Sequence, residues 1–340
     1  MAVSMRDIAK RAGVSLKTVS RVVNQEAHVT SETRELVLEV IDKIGFVPHV
    51  SARRLSSGKS KLIGMIISYQ DRALPQYSGF VLENIIDACN RHDYSVVPYK
   101  LNTVRNGKLV GLFKSQHVDG FVLDTPSSID PDIIQQVTTN SIPIVVLQPN
   151  NPDLFSGIAS TILLDDYAGS KTIVRHLIGM GHRRIGFVNG INGSSLIQER
   201  LAGYQDALAE AGINYRPEVV AMPSQANSFE RGIAGAKQLL AADPDLTAIY
   251  ANSDFTAIGV IQALASEKRR VPTDISVVGF DDLPIASMAL PPLTTMRQPL
   301  PQMVEKAIEL LLERIDKPLS KPQRVIFETE LVIRESCCAL

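Results

Sequence analysis

Side chains suited to contacting nucleic acid stand close together near the N-terminus. Residues 5–25 read MRDIAKRAGVSLKTVSRVVNQ, and the second half of this stretch carries short or hydrogen-bonding groups beside an apolar stripe. Hydroxyl, amide, ammonium and guanidinium groups can reach base edges and phosphates, whereas an ordinary surface helix carries mostly Glu and Lys. The residues that we expect on this exposed face are Leu16, Lys17, Ser20, Arg21 and Asn24.

Two short helices are expected to position these groups. The first begins after Ser4, which forms a capping-box pattern with Asp7, and it ends at Gly13. Ser15 is suited to cap the second helix. The second helix then buries one apolar stripe against the first, formed by Val19, Val22 and Val23.

A third helix is predicted from Glu32 to Ile44, with Gly45 as its end, and its apolar side can complete a three-helix head. The alternative is an αα-hairpin from an ordinary α-helical core. The hydrogen-bonding surface of the second helix and the packing partner supplied by the third favour a DNA-binding helix-turn-helix.

Charge is distributed unevenly along the chain. Residues 1–60 carry ten Lys or Arg against six Asp or Glu, although the whole chain has 35 against 36. A basic head on an acidic body is typical of a phosphate-binding segment, but a solvated basic face would give the same pattern.

Residues 48–58, PHVSARRLSSG, have the Pro, Ser and Gly content of a linker. Arg53 and Arg54 within it favour contacts with phosphates. The linker separates the head from a body of different pattern.

In the body, short apolar runs alternate with amphipathic segments, which predicts βαβ units and parallel sheets buried on both faces. We expect two Rossmann-like lobes, the second from about 163 to 290, with a ligand cleft between them and C-terminal segments crossing between the lobes. The predicted strands are LIGMIIS, SVVPY, VDGFVL and IPIVVL in the first series, and RRIGFVNG, LTAIYAN and ISVVGFD in the second.

Polar residues at the ends of these strands are candidate ligand contacts, because ligands bind beyond the carboxyl ends of strands in open α/β sheets. Asp254 precedes a helix, and we expect it to cap that helix instead of contacting a ligand. The candidates are Ser68, Tyr69, Gln70, Asp124, Gln148, Asn189, Ser253, Asp281 and Asp282.

Catalysis is disfavoured by the absence of a Walker, GxSxG, HExxH or GxGxxG pattern in the chain. Three Cys without His or Cys partners at ligand spacing predict no metal site and no cofactor. The N-terminus is not signal-like and no apolar run approaches a membrane span, so we expect a cytoplasmic protein with reduced thiols. A secreted solute-binding protein would not need a DNA-reading head.

The motifs AKRAGVSLKTVSRVVNQ, VTSETRELVLEVIDKIGFVPH and SARRL resemble, in order, the head of the lactose-repressor/galactose-repressor (LacI/GalR) family. In the body, HLIGMGHRRIGFVNG, ERLAGYQDAL and VPTDISVVGFDDLPIASMALPPLTTMRQP extend the resemblance over nearly the whole chain. It implies an α plus α/β fold: a helix-turn-helix domain over 1–47, a hinge over 48–60, and a periplasmic-binding-protein-like effector and dimerisation domain over 61–340.

The resemblance also implies roles for the DNA-contacting residues. Leu16, Lys17 and Arg21 take the base-reading positions of the recognition helix, while Thr18, Ser20 and Asn24 lie nearer the DNA backbone. The hinge residues are Ala52, Arg53 and Leu55, of which Leu55 wedges into the central base step when two subunits dock in the minor groove. A flexible tether is the alternative reading of this segment.

In the effector domain the resemblance assigns ligand contacts to Arg200 and to Asp281, a guanidinium and carboxylate pair suited to sugar hydroxyls. A salt bridge on a helix face is the alternative role for Arg200. Ser253 stands where relatives often have Asn, and Gln148 stands where some sugar-binding members have Asp. With Ser68, these are the expected effector contacts.

The expected function is a repressor of carbohydrate-utilisation genes that a sugar releases from a palindromic DNA operator. Regulation by a corepressor, which could be a purine, a phosphosugar or a protein partner, is the alternative. The last residues lack the Leu heptads of a tetramer-forming coil, so we expect a homodimer.

Overall fold

The computed structural model describes residues 4–23, 28–45, 59–67, 76–115, 117–124, 131–190, 195–224 and 227–340. The chain divides into two compact units, residues 1–61 and 62–340. No helix within these described ranges is both long and apolar enough to cross a membrane.

The described part of the first unit contains three helices: α1 (Met5–Ala12), α2 (Leu16–Val23) and α3 (Ser31–Ile44). The predicted end signals are confirmed. Ser4 and Asp7 form a capping box, Ser15 Oγ accepts from Thr18 N at 3.1 Å, and Gly13 ends α1 with a left-handed φ of 66°. The core of the unit contains Ile8, Ala12, Val19, Val22 and Val37. Because Val19 and Val22 of α2 are buried in this core, the opposite face of α2 is exposed to solvent.

The second unit begins with a six-stranded sheet in which every pairing is parallel, in the order β11-β5-β4-β3-β1-β2. Four of its strands are buried almost throughout, as their continuous apolar runs predict. The strands are β1 (Leu62–Ile67), β2 (Ser95–Lys100), β3 (Gly120–Asp124), β4 (Ile144–Leu147), β5 (Ser160–Leu164) and β11 (Arg324–Phe327).

Helices connect and cover this sheet. α4 (Gln76–Arg91), α5 (Lys108–Lys114) and α6 (Pro131–Asn140) follow its strands in turn, and α12 (Leu300–Asp316) packs on α4 and on strands β3 to β5. We call this layered structure the first lobe.

The second lobe has a smaller parallel sheet in the order β7-β6-β8-β9. Its strands are β6 (Ile185–Val188), β7 (Val220–Ala221), β8 (Ala248–Ala251) and β9 (Ser276–Val278). Its helices are α7 (Asp166–Gly179), α8 (Ser195–Glu210), α9 (Ser228–Ala242), α10 (Asp254–Ser266) and α11 (Pro284–Met288).

The chain passes between the lobes at three places in its described part. These are the turn from β5 to α7, the segment from β10 (Thr295–Arg297) to α12, and the segment from β11 to β12 (Glu330–Val332). Strands β10 and β12 pair antiparallel with each other. Since β5 belongs to the first sheet, the second-lobe elements begin at 166, slightly later than the expected 163.

In each sheet, the direction in which successive strands are added reverses at one point. This point lies between β1 and β3 in the first lobe and between β6 and β8 in the second. Ligands in open α/β sheets bind at such switch points, beyond the carboxyl ends of the strands. Asp124 ends β3, and Asn189 and Asn252 follow β6 and β8. The topology therefore makes these three residues candidate ligand contacts.

Close helix packing in the second lobe depends on glycine. A Cβ on Gly259 of α10 would lie 2.0 Å from the carbonyl oxygen of Phe229 on α9. We expect Gly259→Ala to lower the free energy of unfolding by about 1–3 kcal/mol, because the two helices must separate. Gly111→Ala is the matched control, since a Cβ there meets nothing within 4 Å.

Gly111 lies inside α5, so its replacement should stabilise the chain by about 0.5–1 kcal/mol. Urea denaturation of the two variants measures both effects. Equal stability of the two variants would contradict this account of the α9–α10 packing.

Candidate functional site

The exposed face of α2 carries the residues that the sequence predicts as DNA contacts. Leu16 is 46% exposed and Lys17 is exposed, whereas Thr18, Ser20 and Arg21 are half-buried. An apolar side chain left half in solvent at the start of α2 contributes nothing to the core of the head. The face therefore has the mixture of apolar, hydroxyl and cationic groups that reads base edges and phosphates.

Some predicted residues fall outside the described ranges. They are Asn24 in the head, Ala52, Arg53 and Leu55 in the hinge, and Ser68, Tyr69 and Gln70 after β1. Their proposed contacts stay predictions.

In the second unit, the Arg200 guanidinium is the centre of a buried polar cluster. The side chain is 3% exposed, and its Nε donates to Asp166 Oδ1 at 2.7 Å. It also donates to the backbone carbonyl of Asn252, and its Cζ lies 3.6 Å from the centroid of the Phe280 ring. Arg200 therefore does form a salt bridge, as the alternative interpretation has it, but the pair is buried instead of exposed.

Burial alone would lower the pKa of Arg200, but the neighbouring Asp166 and Asp281 carboxylates raise it above the usual value. Burial raises the pKa of Asp166, which the Arg200 charge and hydrogen bond oppose. The pair is thus held as an ion pair out of contact with bulk water.

Asp281 faces the same cluster from the segment after β9. Its Oδ1 lies 4.0 Å from Arg200 Nη2 and accepts from Gln298 Nε2 at 2.6 Å. Burial raises the pKa of Asp281 to about 7, although Arg200 and Gln298 act in the opposite direction. A carboxyl with such a pKa changes charge near neutral pH, which is a frequent property of functional sites.

Gln298 connects Asp281 with the first lobe. Its Oε1 accepts from Tyr77 Oη at 2.8 Å and from Gln148 Nε2 at 3.0 Å, and Gln148 Nε2 also lies 3.1 Å from Tyr77 Oη. Tyr77 lies in the first turn of α4 and Gln148 follows β4. One amide side chain therefore joins a second-lobe carboxylate to two first-lobe groups.

Two buried acceptors in this region have no hydrogen-bond donor among the described residues: Asp124 Oδ2 and Asn252 Oδ1. Both residues are at least nine-tenths buried, and both lie at the switch points of their sheets. Burial raises the pKa of Asp124 to about 6, against a hydrogen bond with Ser78. Buried polar atoms without partners are rare in proteins and point to a missing water or ligand.

The expectation for the cap of α10 was wrong by one residue. Ser253 is the N-cap, and its Oγ accepts from Thr256 N at 3.2 Å. Asp254 instead accepts from Leu283 N at 2.8 Å and from Thr295 Oγ1 at 2.6 Å. It thereby holds the segment that carries Asp281, while the Ser253 hydroxyl is occupied by its capping role.

A cavity of about 390 Å³ opens beside the cluster, between first-lobe and second-lobe residues. Gln148, Asp166 and Glu199 are among its lining residues. Its size is within the range of small-molecule sites.

Sequence reasoning selected Gln148, Arg200 and Asp281, which the structure brings into one connected network. It missed Tyr77, Asp166 and Gln298. Asp166 and Tyr77 lie in first turns of helices that directly follow first-sheet strands, and this position was the available signal. Gln298 gave no local signal, because it reaches the site from an interlobe crossing.

Two known families match separate parts of the chain. Residues 4–49 match the family described as "Bacterial regulatory proteins, lacI family". Residues 174–337 match the family described as "Periplasmic binding protein-like domain".

Relatives match over almost the whole chain. The HTH-type transcriptional regulator CelR of Thermobifida fusca is 32% identical over 97% of this chain and 96% of its own. A solved transcriptional regulator CelR–cellobiose complex is 29% identical with a TM-score of 0.72, over 98% of this chain and 99% of that one. The Lac repressor dimer bound to operator and the anti-inducer ONPF is 27% identical with a TM-score of 0.81, over 100% of both chains.

The order of domains, the exposed recognition face and the full-length similarity agree with one another. The chain belongs to the lacI family of bacterial regulatory proteins: it is a DNA-binding transcriptional regulator and not an enzyme.

Proposed function

We propose that this protein represses transcription by binding a pseudo-palindromic operator as a cytoplasmic homodimer, and that a sugar bound between the two lobes of residues 62–340 lowers its operator affinity. The observation that carries the proposal is the buried Arg200 cluster, with Asp281 at 4.0 Å and donor-less acceptors on Asp124 and Asn252. A sugar offers adjacent hydroxyls that can both accept from a guanidinium and donate to carboxylates.

The proposed DNA contacts are the exposed and half-exposed residues of α2 together with the predicted hinge. Two copies of α2 would face two half-sites of a palindrome, as two-fold symmetry requires. The relative solved with cellobiose supports a sugar as effector. The proposed effector contacts are Gln148, Arg200 and Asp281, with Ser68 and Ser253 as further predicted positions.

The direct test is a titration of a labelled palindromic operator at fixed salt, with and without a panel of mono- and disaccharides and purines. Release by one sugar is the expected result. Tighter binding with a purine or a sugar would instead make the protein corepressor-dependent, and no response to any of these compounds would contradict the sugar proposal.

For the head, Arg21→Ala should weaken operator binding by roughly 10- to 100-fold, because a bidentate Arg–guanine contact contributes about 1–3 kcal/mol of discrimination. Lys43→Ala is the matched control, since it removes one positive charge from α3, where the Lys43 ammonium pairs with exposed Glu39. Fluorescence anisotropy with operator and with random DNA measures both variants.

Random DNA should lose affinity to a similar small extent with either variant. An equal loss for operator and random DNA in Arg21→Ala would make Arg21 a phosphate contact and not a base-reading residue.

For the effector site, Arg200→Lys should reduce the sugar response at least about tenfold, because an ammonium cannot reproduce the planar fork that contacts Asp166 and stacks on Phe280. Arg175→Lys is the matched control. Arg175 makes a comparable two-nitrogen contact to Glu210 between α7 and α8, at 2.9 and 2.6 Å, but on the exposed surface.

Operator binding without sugar, measured in the same titrations, reports whether each variant is folded. An unchanged sugar response in a folded Arg200→Lys variant would remove Arg200 from the effector site.

The pKa of Asp281, about 7, predicts a pH dependence of sugar binding. If sugar hydroxyls donate to the ionised carboxylate, affinity should rise about tenfold between pH 6 and pH 8, as the group loses its proton. Calorimetric titration across this range measures the effect, and Asp281→Asn should abolish the slope while keeping an acceptor for Gln298.

The raised pKa of Asp281 has the opposite effect on folding stability, which it lowers as pH rises. Unfolded Asp281 loses its proton near 3.8 and folded Asp281 near 7, so its contribution to the free energy of unfolding falls as pH rises between these values. A sugar affinity that does not change with pH would contradict a role for the Asp281 carboxylate as acceptor.

A further inference from the structure

The charge of the cleft between the lobes is strongly unbalanced in its described part. Among the described groups, those with the largest electrostatic effect on the Tyr77 hydroxyl are three carboxylates, on Asp281, Asp124 and Asp166, and one guanidinium, on Arg200. The neighbouring cavity has the carboxylates of Asp165, Asp166 and Glu199 among its described lining residues, and none of those lining residues is Lys, Arg or His.

The one guanidinium of this group is already engaged. Arg200 donates to Asp166 and to the Asn252 carbonyl and lies against Phe280. An anionic ligand would have to compete with Asp166 for Arg200 while facing Asp124 and Asp281. Like charges in a buried site of low effective dielectric repel strongly, so such a ligand would bind poorly.

The buried acceptors without a donor favour a ligand that donates hydrogen bonds. Asp124 Oδ2 belongs to the first lobe and Asn252 Oδ1 to the second, and each residue is at least nine-tenths buried at the switch point of its sheet. Both atoms need hydrogen-bond donors. A hydroxyl can donate to either atom, whereas an ionised phosphate or carboxylate oxygen only accepts.

We infer that the effector is an uncharged, hydroxyl-rich molecule that donates hydrogen bonds to Asp124 and Asn252, and that the site rejects sugar phosphates and sugar acids. This inference rests on the proposed sugar-responsive function and narrows it to one chemical class. The same acceptors, one in each lobe, give such a ligand a contact on both sides of the cleft.

The test is calorimetric titration of the full-length protein with matched pairs that share one sugar skeleton. Glucose is paired with glucose 6-phosphate and with glucuronate, ribose with ribose 5-phosphate, galactose with galacturonate, and cellobiose with cellobionate. The expected result is that the sugar that binds is neutral and that its charged counterpart binds at least roughly 100-fold more weakly.

A sugar phosphate or sugar acid that binds as tightly as its neutral parent, or more tightly, would overturn the inference and leave the sugar-responsive regulator intact. If no compound of either kind binds or alters operator affinity, the proposed function fails together with the inference. The two failures are therefore distinguishable.

Asp124→Asn isolates the contribution of charge, because it keeps one acceptor and nearly the same volume. It should reduce the discrimination between the neutral sugar and its charged counterpart by at least roughly tenfold. Thermal unfolding checks that the variant is folded, and its Tm should not fall, since a buried charge has been removed.

Asp93→Asn is the matched control in the same lobe. Asp93 is exposed, and its φ of 58° is a conformation that Asn also adopts. It follows the C-terminal end of α4, the helix of 16 residues and about 24 Å whose first turn carries Tyr77. Equal discrimination in Asp93→Asn, Asp124→Asn and the unmodified protein would show that Asp124 does not set the charge preference, contrary to the inference.

Discussion

The buried positive charge of Arg200 constrains the arrangement of the second lobe. A charge removed from water must be paired, and loss of one partner from a buried ion pair costs about 3–5 kcal/mol. Here the partners come from separate elements: Asp166 from α7, the Asn252 carbonyl from the end of β8, and the Phe280 ring from the segment after β9. Because all three must meet one guanidinium on α8, their relative positions are fixed within narrow limits. The close approach of α7 and α8 at Gly203, where a Cβ would lie 2.3 Å from the Tyr167 carbonyl oxygen, serves the same geometry.

The lobes are coupled through the same group of residues. Asp281 is 4.0 Å from Arg200 and accepts from Gln298, whose other amide atom meets Tyr77 and Gln148 in the first lobe. Asp281, a proposed effector contact, thus reaches Tyr77 and Gln148 of the first lobe through the single amide of Gln298. A direct link of this kind between a ligand contact and both lobes is what a two-state regulator requires. Asp254 supports this link, since it accepts hydrogen bonds from Leu283, two residues after Asp281, and from Thr295, three residues before Gln298.

Local signals in the sequence were sufficient to predict the helices and strands, but not the tertiary contacts between their side chains. Gly13, Ser15 and Gly45 predicted the ends of the head helices because capping depends on a few neighbouring residues. The parallel strands were predictable because their apolar runs are buried on both faces. The helix was predicted to be capped by Asp254 but is capped by Ser253. Either residue type can cap a helix, and only the tertiary contact of Asp254 to Leu283 distinguishes the two. Gln298 lies 150 residues from Gln148 and 17 from Asp281, so no window of sequence relates the three.

The cleft retains features that lower the stability of the unliganded protein. Burial raises the pKa of Asp281 to about 7 and that of Asp124 to about 6, and two acceptors lack donors. A fold selected for stability alone would pair these groups or replace them with apolar residues. A ligand that supplied hydroxyl donors, as proposed, would offset this cost, and would do so most in a lobe arrangement that brings Asp124 and Asn252 to the same molecule. A ligand can change operator affinity only by the difference between its binding free energies to the two lobe arrangements. In allosteric proteins this difference typically amounts to about 1–3 kcal/mol. In the proposed mechanism, Asp124 and Asn252 would supply part of this difference.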